Sequence, residues 1–285
     1  MPVWRLRDRS LEFPPPMAAG IVNVTDDSFY EGARSITPER AIEDGMRLVA
    51  EGFELLDVGA VAARSGPAVD AGAEAARLVP AIEGLAARAG VPVLADTFSA
   101  EVAAGAIAAG AAAINDISGG RDPELLAAVG ASDAGYVLMH IEGPPRVDRD
   151  PPVYDDPVEH MLHWFAERIE AAVAAGIDEE RIALDPGLDF DLGVGDDLEV
   201  MRRLGELRTL GRPLFVALSR KDFLGAVVAG SWSERAGAQD RGAATSAATA
   251  LAVAEGAALL RLHDAEALDA MRVAAAIGGL DGVTP

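Results

Sequence analysis

The 285-residue chain has no cysteine and a single lysine, and aromatic residues make up only 5% of it. Without cysteine there are no disulfides, no thiolate metal centres and no thiol nucleophile. Positive charge is scarce: 46 Asp and Glu face 24 Lys and Arg, a formal net charge of −22. Such a surface repels phosphodiester polymers and anionic bilayers, so neither nucleic acid nor membrane is expected as a partner. Long hydrophobic runs are missing too. The most apolar stretch, "AAGAIAAGAAAI", is short and alanine-rich, well below the roughly 20 residues a membrane span needs. The start, "MPVWRLRDRSLEFPPPM", shows no apolar signal core, and a cytoplasmic enzyme is expected. The one lysine, Lys221, sits in "VALSRKDFLG", while the other 23 cations are all arginine. Chance survival of one lysine is the plain explanation; a role that a guanidinium cannot fill is the other.

What is present is half hydrophobic and strongly periodic. Branched-apolar runs ("AAGIVNV", "ELLDVGA", "VPVLADT", "AAAINDIS", "GYVLMH", "RIALDPG", "PLFVALS", "ALLRLHD") alternate with helical stretches. Thr37-Pro38 reads as an N-cap and first-turn proline for "TPERAIEDGMRLVAEG", and Gly52 as its stop. Ser99 and Asp122-Pro123 read as further helix starts. Eight such alternations without a linker predict α/β architecture, a single (β/α)8 TIM barrel over residues 1–285. Residues 1–16 are expected to form a short N-terminal hairpin capping its base. A doubly wound open sheet is the alternative, weakened by the lack of a G-x-G-x-x-G fingerprint after the first strand.

Polar residues gather at the C-terminal ends of these runs: Asn23, Asp57, Asp96, Asn115, His140, Asp185, Ser219 with Lys221, then Arg261 and His263. Taken singly, a strand-end Asp before Gly or Pro is usually a turn or cap residue. In a barrel, however, all eight ends surround one mouth. Carboxylates and carboxamides come from the first six strands and cations from the last two. That pattern suits a ligand with a hydrogen-bonding heterocycle at one end and an anion at the other.

"GIVNVTDDSF" resembles the N-V-T-x-D-S-F signature of the dihydropteroate synthase family, pterin-binding TIM barrels. "LLDVGA", "ADTFSAEVAAGAIAAGAAAINDISGG", "YVLMH", "LDPGLDF", "SRKDFLG" and "LLRLHDA" follow in the family's order. The resemblance spans about residues 17 to 275, and seven motifs in register are specific where one would not be. It implies condensation of 6-hydroxymethyl-7,8-dihydropterin pyrophosphate with 4-aminobenzoate to 7,8-dihydropteroate and pyrophosphate, with Mg2+ as cofactor, in a homodimer. It also implies site residues. Asp96, Asn115, Asp185 and Lys221 would hold the pterin. Asn23, Arg64, Arg261 and His263 would face the pyrophosphate, with Asn23 nearest the metal. Phe29, Ala63, Arg64, Ser65 and Ser219 would border the aminobenzoate. Asp96, Asp185, Lys221, Arg261 and His263 form the expected catalytic set.

Breaking the bond from the pterin methylene to a pyrophosphate oxygen leaves a ring-delocalised cation and a highly charged leaving group. Asp96 and Asp185 would favour the first, while Arg261, His263 and Mg2+ would favour the second. The family pattern also breaks here. Ala62, Ala63 and Ser65 replace the usual Ser, Thr and Pro after the second strand, Asp26 replaces a Pro, and "LDFDLGV" replaces G-F-G-K. These changes lead to an expectation of reduced sulfonamide sensitivity. A pterin-binding paralogue without synthase activity is the alternative function. A corrinoid-dependent methyl-transfer barrel is a third, which would need neither "NVTDDSF" nor "SRKDFLG".

Overall fold

The computed structural model describes residues 2–24, 37–63, 70–147 and 149–280. A short hairpin comes first, with β1 (Val3–Arg5) antiparallel to β2 (Ser10–Glu12). Eight parallel strands follow: β3 (Met17–Asn23), β4 (Leu55–Gly59), β5 (Val93–Asp96), β6 (Ala113–Asp116), β7 (Gly135–Met139), β8 (Ile182–Asp185), β9 (Phe215–Val216) and β10 (Leu259–Leu262). Each pairs with its sequence neighbour from β3 to β8, and β10 pairs with both β3 and β9. One parallel bridge, Leu184 to Leu214, joins β8 to the start of β9 and brings the sheet round to a nearly closed barrel. This is the (β/α)8 TIM barrel that the alternation predicts; the open-sheet alternative fails because the Leu184–Leu214 bridge joins the two ends of the sheet.

Helices α1 (Pro38–Glu51), α2 (Ala71–Ala86), α3 (Ala100–Ala108), α4 (Pro123–Gly130), α5 (Pro157–Ala174) and α6 (Val194–Arg202) follow β3 to β8 in turn. The connection after β9 holds two, a short α7 (Asp222–Ala229) and then α8 (Gly242–Ala254), and α9 (Ala265–Ile277) follows β10. The helix starts form as their residues predict. Thr37 Oγ1 accepts from Arg40 N at 3.3 Å, Ser99 Oγ from Val102 N at 3.5 Å, and Asp122 Oδ1 from Glu124 N at 2.9 Å. Gly52 ends α1 at φ 99°, a left-handed conformation that costs a residue with a Cβ. Among the described residues no helix is long and apolar enough to cross a membrane.

Alternation along the strands layers the interior. One parity contributes Ala19, Leu55, Leu94, Ala113, Val137, Ala183, Phe215 and Leu259, which pack as an apolar floor with Trp4, Leu6 and Phe13 of the hairpin segment. Trp4 is fully buried, and its Nε1 donates to the Arg181 carbonyl at 2.8 Å. Two residues further along each strand the same parity reaches Ile21, Asp57, Asp96, Asn115, Met139, Asp185, Ala217 and Arg261. The hairpin thus closes the base, and a polar belt lies directly above an apolar plug.

Candidate active site

Above the belt opens a cavity of about 330 Å³ at the C-terminal end of the barrel. Asn23, Ala63, Asp96, Asn115, Asp185, Ser219, Lys221, Arg261 and His263 all line it, so strands far apart in sequence deliver these residues to one place. Phe29, Arg64 and Ser65 lie outside the described residues.

The belt is a linked set of charges. Arg261 Nε donates to Asp57 Oδ2, and Arg261 Nη2 donates to Asp96 Oδ2 at 2.9 Å. Asn115 Nδ2 donates to Asp57 Oδ2 at 3.1 Å. The amide therefore turns its NH2, not its oxygen, to Asp57. Asn115 Oδ1 is left buried without a hydrogen-bond partner. Burial raises the Asp96 carboxyl well above the ordinary carboxylate range; Arg261 opposes this, while Asp57, Glu74 and Asp185 add to it. Asp185 rises to about 6, again mainly through burial, with the Gly187 N–H, Lys221 and Arg261 pulling it back. The cavity floor therefore offers acceptors in excess of donors. Two of its carboxyls are costly to ionise until a donor-rich or cationic partner arrives.

Lys221 stands at the start of α7, where its Nζ donates to the Leu188 carbonyl at 2.8 Å and lies 4.4 Å from the centre of the Phe190 ring. Its own side chain does not cap the helix. The cap comes instead from Asp189 on the β8–α6 loop, which accepts from Asp222 N and, at 2.9 Å, from Phe223 N. Asp189 adopts φ 65° and Asp191 φ 54°, where the family's G-F-G-K motif has glycine. Asp tolerates this region better than most residues with a Cβ. Asp191 in turn accepts from Arg149 Nε at 2.6 Å and from Glu142 N at 2.9 Å, tying the β7–α5 loop to the same segment. The departure from the motif loses a cation but adds two anchors.

Beside Lys221, after β10, His263 Nδ1 is 2.9 Å from Ser219 Oγ. Burial, with Arg261, Arg220 and Lys221 nearby, lowers the imidazole to about 3, so the ring is neutral before any anion enters. Arg220 and Arg241 also line the cavity. Arg220 pairs with Asp264 at 2.7 Å, and Arg241 with Asp222 at 2.7 Å. The rim thus carries arginines, each paired with a carboxylate, above a carboxylate-rich belt.

Two strand-end residues do not fall where the polar-end pattern places them. His140 is of the other parity: it points outward, is fully buried, and packs edge-on to Trp164 with ring centres 4.9 Å apart. Asp57 is inside the barrel but wholly buried beneath Arg261. The sequence reading also missed Asp189, Phe190, Arg220 and Arg241. Only the "DPGLDF" and "SRKD" motifs around the first three signalled them, and Arg241 had no signal because its place is set by α7.

The family model described as pterin binding enzyme matches residues 19–263. Dihydropteroate synthase of Mycobacterium leprae is 36% identical over 273 residues, which cover 93% of this chain and 95% of the relative. The structure of Xanthomonas albilineans dihydropteroate synthase with 4-aminobenzoic acid aligns with a TM-score of 0.86 at 39% identity, over 99% of this chain and 100% of that one. The same organism's enzyme in complex with 7,8-dihydropteroate aligns at 0.83 and 36% identity over 100% of both chains.

Proposed function

The chain belongs to the dihydropteroate synthases among the pterin-binding enzymes, and from that membership we infer how its own residues divide the reaction. It is a transferase that joins the methylene of 6-hydroxymethyl-7,8-dihydropterin pyrophosphate to the nitrogen of 4-aminobenzoate, giving 7,8-dihydropteroate and pyrophosphate. The observation that carries the assignment of roles is the unpaired Asn115 Oδ1 beside two buried carboxyls of raised pKa. A pterin presents a row of N–H donors along its guanidine-like edge. Asp96, Asn115 and Asp185 supply acceptors for that row, and Lys221 supplies a donor for the ring's carbonyl side.

Charge is then placed along the bond that breaks. Heterolysis sends an electron pair to the pyrophosphate oxygen and leaves positive charge on the methylene and ring. Asp96 and Asp185, ionised once the pterin is bound, stabilise that cation from the belt. His263, Arg261 and the rim arginines face the leaving group. The neutral amine attacks the methylene, the C–N bond forms, and the ammonium proton leaves to solvent or to pyrophosphate; aniline nitrogen needs no strong base. His263, with Nδ1 on Ser219, presents Nε2 to phosphate oxygens. Arg261 acts partly through Asp57 and Asp96, because two of its donors are directed at them.

Magnesium belongs to this reading as the pyrophosphate's counter-ion. Asn23 offers one hard carboxamide oxygen at the mouth, which fits an ion that keeps several waters and takes its other ligands from phosphates. Asn23 would hold it, and the ion would neutralise leaving-group charge. Apolar side chains exposed on α7, α8 and α9, among them Val228, Leu251 and Ile277, support a homodimer packed through these helices.

Pyrophosphate release, measured with and without 4-aminobenzoate, tests the function. We expect release that depends on the amine, with one dihydropteroate formed per pyrophosphate. Pterin pyrophosphate binding without any release would identify a non-catalytic paralogue instead. Ala62 and Ala63 border the cavity without hydroxyls. The expected result is a raised KM for 4-aminobenzoate and weak sulfonamide inhibition, both partly reversed by Ala62→Ser with Ala63→Thr and Ser65→Pro. Steady-state kinetics with one sulfonamide reads both quantities.

A further inference from the structure

On the outer side of β7, at its C-terminal end, three donors from two segments converge. His140 follows the last residue of β7, Glu142 lies two residues further on in the loop, and His160 sits in the first part of α5. Their ligand atoms all lie within 4.8 Å of one another, and among the described residues this is the group of three that could share an ion. Glu142 Oε1 is 2.5 Å from His160 Nε2 and 3.3 Å from His140 Nε2. We propose that His140, Glu142 and His160 bind one divalent transition-metal ion of the zinc class, clipping the β7–α5 loop to α5.

His140 makes the cluster more than an exposed ion pair. It is fully buried, yet neither ring nitrogen has a hydrogen-bond partner, because the 3.3 Å approach to Glu142 lacks hydrogen-bond geometry. Buried polar groups are normally satisfied, and an unsatisfied one calls for a missing partner. A metal ion takes the Nε2 lone pair without needing a donor's geometry. Two imidazole nitrogens and one carboxylate oxygen thus lie within reach of a single ion.

Chemistry selects the ion. Two imidazoles and one carboxylate, with water in the fourth position, suit zinc and its neighbours, whereas magnesium prefers an all-oxygen shell. In a cysteine-free chain a zinc-class site has to draw on histidine and carboxylate ligands. His160 and Glu142 are 41% and 25% exposed at their side chains, which leaves a path for entry and freedom to open their close contact around bonds of about 2.0–2.2 Å.

The surroundings are already fixed. Arg121 Nη2 donates to the Ile141 carbonyl at 2.9 Å and Nε to the Gly143 carbonyl at 3.2 Å, while Asp191 accepts from Glu142 N at 2.9 Å. Trp164 backs His140, and Tyr154 packs on His160 with ring centres 5.0 Å apart. The same loop reaches the mouth, where Arg146 Nη1 donates to the Ala62 carbonyl. Occupancy would thus stiffen one side of the active-site rim.

The test uses the whole protein, stripped with chelator and titrated with Co2+ and then Zn2+. We expect one ion per chain, the visible bands of four-coordinate cobalt, and a rise in Tm on adding zinc. His160→Ala and Glu142→Gln, both at partly exposed positions, should each weaken binding at least about 100-fold with unchanged far-ultraviolet circular dichroism. His163→Ala and His263→Ala should bind as wild type does. Absence of stoichiometric cobalt binding by wild type overturns the proposal. So does binding that survives both ligand variants, or binding lost in His263→Ala, which would move the ion to the mouth.

Discussion

An arginine at position 221 would carry the charge of the lysine and still not do its work. The Lys221 ammonium is a compact donor that reaches the Leu188 carbonyl at 2.8 Å while resting 4.4 Å from the Phe190 ring centre. A guanidinium is wider, planar and differently hydrated, and it would have to displace one of these neighbours or the pterin. Lys221→Arg is therefore expected to lower kcat/KM at least tenfold, about 1.4 kcal/mol, with an unchanged circular dichroism spectrum. Asp185 tests the belt through stability. Its folded pKa of about 6 lies above the ordinary carboxylate value of 3.8, so the folded state binds the proton more tightly than the unfolded. The stabilising contribution is full below about pH 4 and is lost as pH rises through 6. Asp185→Asn should then be more stable than wild type by about 2–3 kcal/mol at pH 8, with the advantage vanishing near pH 4. Urea unfolding at the two pH values measures it. The same variant should lose pterin affinity, the cost of the carboxylate being what the ligand recovers.

At the scale of the element, α7 is held from outside itself. Its first N–H groups donate to Asp189, which sits at φ 65° on another loop. Asp189→Ala removes that acceptor and also places an alanine in left-handed backbone, with an expected loss of about 2–3 kcal/mol. Asp189→Gly removes the acceptor but relieves the backbone, so its loss should be smaller by about 1 kcal/mol. Urea unfolding of the pair separates cap from conformation. Because α7 begins directly after Lys221, both variants should raise the KM for the pterin substrate.

Across the whole molecule the apolar floor separates stability from chemistry. Trp4 plugs the base, and the reacting groups lie above the belt at the other end. Trp4→Ala should cost about 3–5 kcal/mol through the cavity it leaves. At 25 °C, where the variant remains folded, kcat/KM should stay within twofold of wild type. Thermal unfolding beside steady-state kinetics distinguishes this from a coupled base and mouth, for which both quantities would fall together.

The strand order was legible in the sequence because short crossovers place each strand beside the last, and closure joins the first to the eighth. The belt residues were legible because a polar group at the end of an apolar run has few places to go except the mouth. Composition alone excluded thiol chemistry, and the family motifs carried the substrate. What the sequence did not determine was the facing of individual side chains where the pattern is apolar on both sides. "GYVLMHI" has no alternation to read, so only the register of β7 against β6 and β8 turns Met139 inward and His140 outward. Nor could spacing show that Asp57 lies beneath Arg261, more than 200 positions later in the chain, or that Asp189 caps a helix whose Phe223 is 34 residues away. Those pairings form when the barrel closes, and the raised carboxyl of Asp185 and lowered imidazole of His263 arise only then. Burial and neighbouring charge, which tertiary structure alone supplies, set those protonation states.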